Sequence, residues 1–135
     1  VIYEAAFSPA GSHFPSYGFA DDALEFSIYD LEESATPSRF DARIGLTITN
    51  IINEHFEQNP QAVICYVCDE TDARAFKRAM RFTRLFEQGN AEQQLEKADI
   101  EQPPLYASIL FRRDHPQQSE VRLAVRELAE KFLEE

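Results

Sequence analysis

The sequence predicts an α+β fold with an α/β-like second half: an N-terminal antiparallel β-meander, then α-β-α-β-α, giving a mixed sheet of four to five strands with packed helices. Three observations predict it. The first third is rich in strand-forming residues and punctuated by Pro and Gly. Apolar positions from residue 38 to 59 recur at helical spacing. Beyond them, short apolar runs alternate with two further helical patterns.

In the meander, Val1-Ile-Tyr-Glu-Ala-Ala-Phe-Ser8 and Ala23-Leu-Glu-Phe-Ser-Ile-Tyr-Asp-Leu31 read as strands. In the second, Leu24, Phe26, Ile28 and Asp30 share one face. Pro9, Gly11, Pro15 and Gly18 break the stretch between them. The meander has two strands or three, the optional third being Phe14 to Ala20 before a turn at Asp21-Asp22. Thr36-Pro37-Ser38 opens the first helix, with Ser38 as cap and Asp41 completing a variant capping box. Ile44, Ile48, Ile51, Ile52 and His55 fall on one face until Asn59-Pro60 stops the run.

Ala62 to Cys68 is a continuous apolar strand, which implies burial on both faces. Asp69-Glu-Thr-Asp72 supplies acceptors for the next helix N-terminus. That helix, Asp72 to Gln88, gathers Arg74, Lys77, Arg78, Arg81 and Arg84 within an arc of about 120° at 100° per residue. Ala75, Phe76, Ala79, Phe82 and Phe86 lie opposite, and Gly89-Asn90 ends it. Residues 89–104 read as a polar connection, a short helix or a flap. Leu105 to Phe111 is the last strand. Asp114-His115-Pro116 opens a final helix with a stripe of Val121, Val125, Leu128 and Phe132. The expectation is one domain over residues 1–135, its last two strands parallel neighbours bridged by the basic helix.

Composition excludes several classes. The chain has 135 residues, 44% hydrophobic and 27% charged, and lacks an apolar run near the roughly 18 residues a spanning helix needs. Its opening residue is Val1 rather than Met, so the lack of a leader carries no weight. Cys65 and Cys68 match C-x-x-C. In a strand, however, an offset of three sends side chains to opposite faces with backbones about 10 Å apart, which suits neither a disulfide nor a shared zinc. Two buried thiols suggest a cytoplasmic protein.

The formal net charge is −11. Residues 1–70 hold two basic and twelve acidic residues, net −10; residues 71–135 hold eleven and twelve, net −1. This field argues against nucleic acid and favours a protein partner or self-association, between the basic face and the acidic meander at Asp21, Asp22 and Glu25. With the last strands parallel, their C-terminal edge would also collect Asp69, Asp72, Arg112, Asp114 and His115. Helix caps and ion pairs account for these residues more simply than a metal or catalytic site. His55, on an apolar helix face, reads as a core histidine. The G-x-S-x-G, P-loop, H-E-x-x-H and G-x-G-x-x-G patterns are absent, and no cofactor or metal is expected.

Asp41-Ala-Arg-Ile-Gly-Leu-Thr-Ile-Thr-Asn-Ile-Ile-Asn-Glu-His-Phe56, Ile64-Cys-Tyr-Val-Cys-Asp69, Asp72-Ala-Arg74, Arg78 and Arg84-Leu-Phe86 together resemble a family of small bacterial proteins defined as a domain of unknown function. Tyr106-Ala-Ser-Ile-Leu110 and Arg113-Asp-His-Pro116 fit the same pattern, so the resemblance spans about residues 40–116. It implies a fold and no reaction, and a signature that includes Asp69, Asp72, Arg74 and Arg78.

The element order, with Asp72-Ala-Arg-Ala-Phe76 and a helix ending near Leu85-Phe86, is also similar to the core of acetyl-coenzyme-A-dependent N-acetyltransferases. That resemblance implies a pyrophosphate-cradling [Q/R]-x-x-G-x-[G/A] loop at a helix N-terminus. Aligned from Arg39, this chain has Ala42 and Ile44 at the small positions, where side chains obstruct backbone approach. The leading expectation is a non-enzymatic protein-binding or self-assembly module; the alternative is a divergent or degenerate acyltransferase-like enzyme.

Overall fold

The computed structural model describes residues 3–30, 42–68, 83–84, 86–87, 94–102 and 105–134. They form five strands and two long helices: β1 (Tyr3–Pro9), β2 (Ala23–Asp30), α1 (Ala42–Gln58), β3 (Val63–Cys68), β4 (Leu95–Gln102), β5 (Leu105–Arg112) and α2 (Gln118–Glu134). Thr83, Arg84, Phe86 and Glu87 are also helical. The strands make one mixed sheet in the order β1-β2-β3-β5-β4, which bears out the expected α+β class.

The expected N-terminal pairing is present, with β1 antiparallel to β2 from Tyr3↔Asp30 to Pro9↔Leu24. The third meander strand is not. Residues 10–22 instead wind through two single-turn 3-10 helices, Gly11–His13 and Ala20–Asp22. The reason lies in Phe14 and Phe19, both essentially inaccessible and both in one apolar cluster. Five residues apart in a strand they would face opposite sides. A turning backbone sends both rings inward, each burial contributing roughly 1.5–3 kcal/mol. Tyr17 joins them, its ring 5.4 Å from Phe19 and its hydroxyl donating to Glu127 of α2. Gly11 permits this path: a Cβ there would lie 2.5 Å from the carbonyl oxygen of Ala20.

α1 buries Ile48, Ile52 and Phe56, with Ile51 and His55 half-buried beside them, so the expected helix face is observed from Ile48 onward. Ser38, Asp41 and the side chain of Ile44 lie outside the described residues. The parallel pair of this sheet is β2–β3, from Ala23↔Val63 to Phe26↔Tyr66, with α1 in the connection.

The expectation of parallel final strands is corrected. β3 and β5 are neighbours but antiparallel, from Ile64↔Leu110 to Cys68↔Tyr106. The cause is β4, which occupies the stretch read as a polar connection. It pairs antiparallel with β5 from Leu95↔Arg112 to Gln102↔Leu105. This hairpin reverses the chain, so β5 enters the sheet running against β3.

Alternate residues of β2 to β5 feed two apolar clusters, one on each face, and β1 adds Phe7 to the α1-side one. Ala23, Val63, Cys65, Ile100, Ile109 and Phe111 pack with Phe14, Phe19 and the Val121–Val125 stripe of α2. Phe26, Ile64, Leu95 and Leu110 pack with Ile48, Ile52 and Phe56 of α1. β3 is buried from Val63 to Cys65 on both faces, as its uninterrupted apolar run implies.

Candidate functional site

Three regions carry the candidate residues. The first is the corner where β5 meets α2. The Arg112 guanidinium makes a two-pronged pair with Asp114, Nε to Oδ1 at 2.8 Å and Nη2 to Oδ2 at 3.0 Å. This partner holds the Asp114 carboxyl below its ordinary range. His115 is buried. Its Nδ1 accepts from the backbone N–H of Gln117 at 2.9 Å, so its proton sits on Nε2 and is donated to the carbonyl of Gln61, also at 2.9 Å. The backbone of Arg113 donates to Gln94 at 2.9 Å. Every polar atom of the imidazole is thus engaged in fastening the start of α2 to the segment ahead of β3.

The antiparallel pairing sets this corner at the beginning of β3, whereas Asp69 follows its far end. Cys68 and Arg112 are separated along the pair by six residues of β5, about 20 Å. The structure therefore brings Arg112, Asp114 and His115 together at one edge. Asp69 and Asp72, expected beside them, lie outside the described residues. Asp114 is paired with a cation rather than capping α2, which starts at Gln118.

The second region is the basic helix. Arg84 is exposed, and Phe86 is half-buried against the α1-side cluster. Arg74, Lys77, Arg78 and Arg81 lie outside the described residues.

The third region is the acidic half. Asp21 and Asp22 are exposed on the second 3-10 helix. Glu25 is half-buried on β2, in register with Ser8 of β1 and Cys65 of β3. Burial, helped by the charge of Glu25, pushes the Cys65 thiol up to about 12, which keeps it protonated and inert. Above β1, the His55 ring stacks on Phe7 with centroids 4.6 Å apart. Its Nε2 is buried without a hydrogen-bond partner among the described residues, and burial lowers its pKa.

The two ends of the sheet were not anticipated as functional features, and they differ. β4 carries Glu96, Lys97, Asp99 and Glu101 within eight residues. Its Lys97 turns inward, the side chain only 7% exposed, with Nζ 2.5 Å from Asp99. Asp99 also accepts from Ser108 at 2.9 Å. Glu96 is gripped by Arg122 of α2 through two contacts of 2.7 Å, which hold its carboxyl below the ordinary range. Inward charge and a covering helix are devices that keep an edge strand from pairing with other chains. β1 has one charged residue, Glu4, in seven. The signal was legible as the uncharged run Ala5-Ala-Phe-Ser-Pro9.

Among the described residues, no group of three or more His, Cys, Asp or Glu side chains is arranged to hold a metal ion. Among them, too, no helix is long and apolar enough to cross a membrane. Fold and surface together define an α+β protein whose mixed sheet, among the described residues, ends in a charge-rich β4 on one side and a charge-poor β1 on the other, and whose charge is strongly segregated along the chain. It belongs to the family of unknown function DUF6169, whose model matches residues 40–127. The match covers α1 and β3–β5 and runs into α2; β1 and β2 precede it. No curated protein and no solved structure matches the chain, and the wider similarity to acetyltransferases finds no support.

Proposed function

We propose that this protein is a non-enzymatic protein-binding or self-assembly module, acting in the cytoplasm. Its contact surfaces are the basic helix face Arg74, Lys77, Arg78, Arg81 and Arg84 and the acidic meander at Asp21, Asp22 and Glu25. The observation that carries this reading is the segregation of charge, net −10 in residues 1–70 against −1 in the rest. Complementary fields of this kind steer encounter and fix partner choice. The exposure of Asp21, Asp22 and Arg84 supports it.

The acyltransferase-like alternative rests on element order alone. The described side chains best suited to chemistry are otherwise engaged, His115 by two backbone hydrogen bonds and Cys65 by burial.

The test is sedimentation velocity of the full chain, alone and with captured partners, at low and high salt. The variant Arg78→Glu/Arg81→Glu should weaken association at least tenfold at low salt, with a smaller difference at high salt. Association unchanged by the variant at low salt removes the basic face from the reading.

A further inference from the structure

We infer that the open edge of β1 takes up an extended, lysine- or arginine-bearing peptide segment of a partner protein as a sixth strand. This rests on the protein-binding reading above and names the partner's chemistry and its place.

Three observations meet there. First, β1 ends the sheet: it pairs with β2 on one side, and among the described residues no strand lies on its other side. An edge strand presents a row of main-chain N–H and C=O groups to any extended segment that can align with it. Second, the two edges are treated differently. β4 has the inward Lys97 and the Glu96–Arg122 clamp, while Ala5 to Pro9 carries no charge, with Ala5 and Ser8 exposed. From Tyr3 to Ser8 the edge offers roughly 20 Å of ladder.

Third, the surroundings of this edge are acidic. β1, β2 and β3 contain no Lys or Arg, and the first cation of the chain is Arg39. Glu25 lies in register with Ser8, and Asp30 with Tyr3. Asp21 and Asp22 are exposed immediately before β2. Glu54 and Glu57 are exposed on α1, on either side of the His55 that stacks on Phe7. A second copy pairing through β1 would bring two such acidic halves together, each net −10, and like-charge repulsion opposes it. A cationic strand gains both the ladder and the field.

Fluorescence anisotropy of the full chain with labelled peptides tests this. The probe is an octapeptide of alternating valine and lysine. Its controls are a valine–glutamate octapeptide and a valine–lysine octapeptide N-methylated at alternate residues, which keeps its charge but cannot form a ladder. The cationic probe should bind at least tenfold more tightly than either control. Ala5→Lys/Ser8→Lys, two exposed positions, should lose that binding at an unchanged melting temperature, while Arg78→Glu/Arg81→Glu retains it. Equal binding of the N-methylated peptide would mean electrostatic adsorption and overturn the inference. So would binding that survives the double-lysine variant, no binding of the probe at all, or a concentration-dependent dimer abolished by the double-lysine variant. None of these results touches the sedimentation test of the basic helix face, so the two readings fail separately.

Discussion

The imidazole of His115 joins Gln61 across 54 residues of sequence, its Nε2–H donated to the Gln61 carbonyl at 2.9 Å while Nδ1 receives the N–H of Gln117. A single buried ring thus fixes where α2 begins relative to β3. Replacing His115 with Ala removes two part-buried hydrogen bonds to the backbone and leaves a cavity where the buried ring was. The expected loss is about 2–4 kcal/mol in urea unfolding. His115→Phe refills the volume but not the hydrogen bonds and should remain destabilised. A Phe variant as stable as the parent would show that packing alone matters here.

The His55 ring gives stability a pH dependence of definite sign. Burial lowers its pKa in the folded protein below the ordinary 6.5, so the unfolded chain takes up the proton first. Its contribution is fully present above about pH 6.5 and is lost as pH falls from there toward the folded pKa. His55→Phe keeps a ring against Phe7 and removes the unpartnered Nε2. Melting temperatures between pH 7 and 5 should fall less steeply for the variant. Parallel curves would show that other groups set the slope.

Gly11 and Gly18 sit in the same loop but should respond differently to Ala. At Gly11 the new Cβ would meet the Ala20 carbonyl oxygen at 2.5 Å, a backbone atom that moves only with the loop. A cost of about 1–3 kcal/mol is expected. At Gly18 the contact, at 2.7 Å, is with the far end of the Gln117 side chain, which can swing aside, so the cost should stay below about 0.5 kcal/mol. Chemical denaturation of both variants distinguishes them, and equal losses would show the loop to be pliable at Gly11.

Lys97 should matter for solubility more than for stability. Lys97→Val removes the inward ammonium that pairs with Asp99 and leaves β4 with an apolar residue facing the α1-side cluster. The variant should scatter light at lower concentration than the parent, with an unfolding midpoint near native. Unaltered scattering would mean that the Glu96–Arg122 clamp suffices to guard this edge.

The class of fold, the β1–β2 pairing, α1 with its buried stripe and the doubly buried β3 were legible in the sequence, because each rests on local periodicity. β4 was not. Its two buried apolar anchors, Leu95 and Ile100, are five residues apart and face opposite sides of the sheet, so neither a helical nor an alternating pattern emerges. Missing that strand also hid the reversal that makes β5 antiparallel to β3, and with it the true place of Arg112, Asp114 and His115. Charge segregation was readable by counting. The unequal guarding of the sheet's two ends depended on knowing which strands lie outermost, and strand order is a long-range property.

The strand order β1-β2-β3-β5-β4 has a consequence for assembly on the ribosome. The β1–β2 and β4–β5 hairpins each close within a short stretch of chain, whereas β3 needs a crossover to reach β2 and a longer return to meet β5. As the nascent chain lengthens, β3 emerges with one flank satisfied and the other bare, and it stays half-sheltered until Leu105–Arg112 has been synthesised. The most apolar of the described strands therefore waits with one flank bare until β5 arrives, and that interval is when this chain most needs protection from its neighbours.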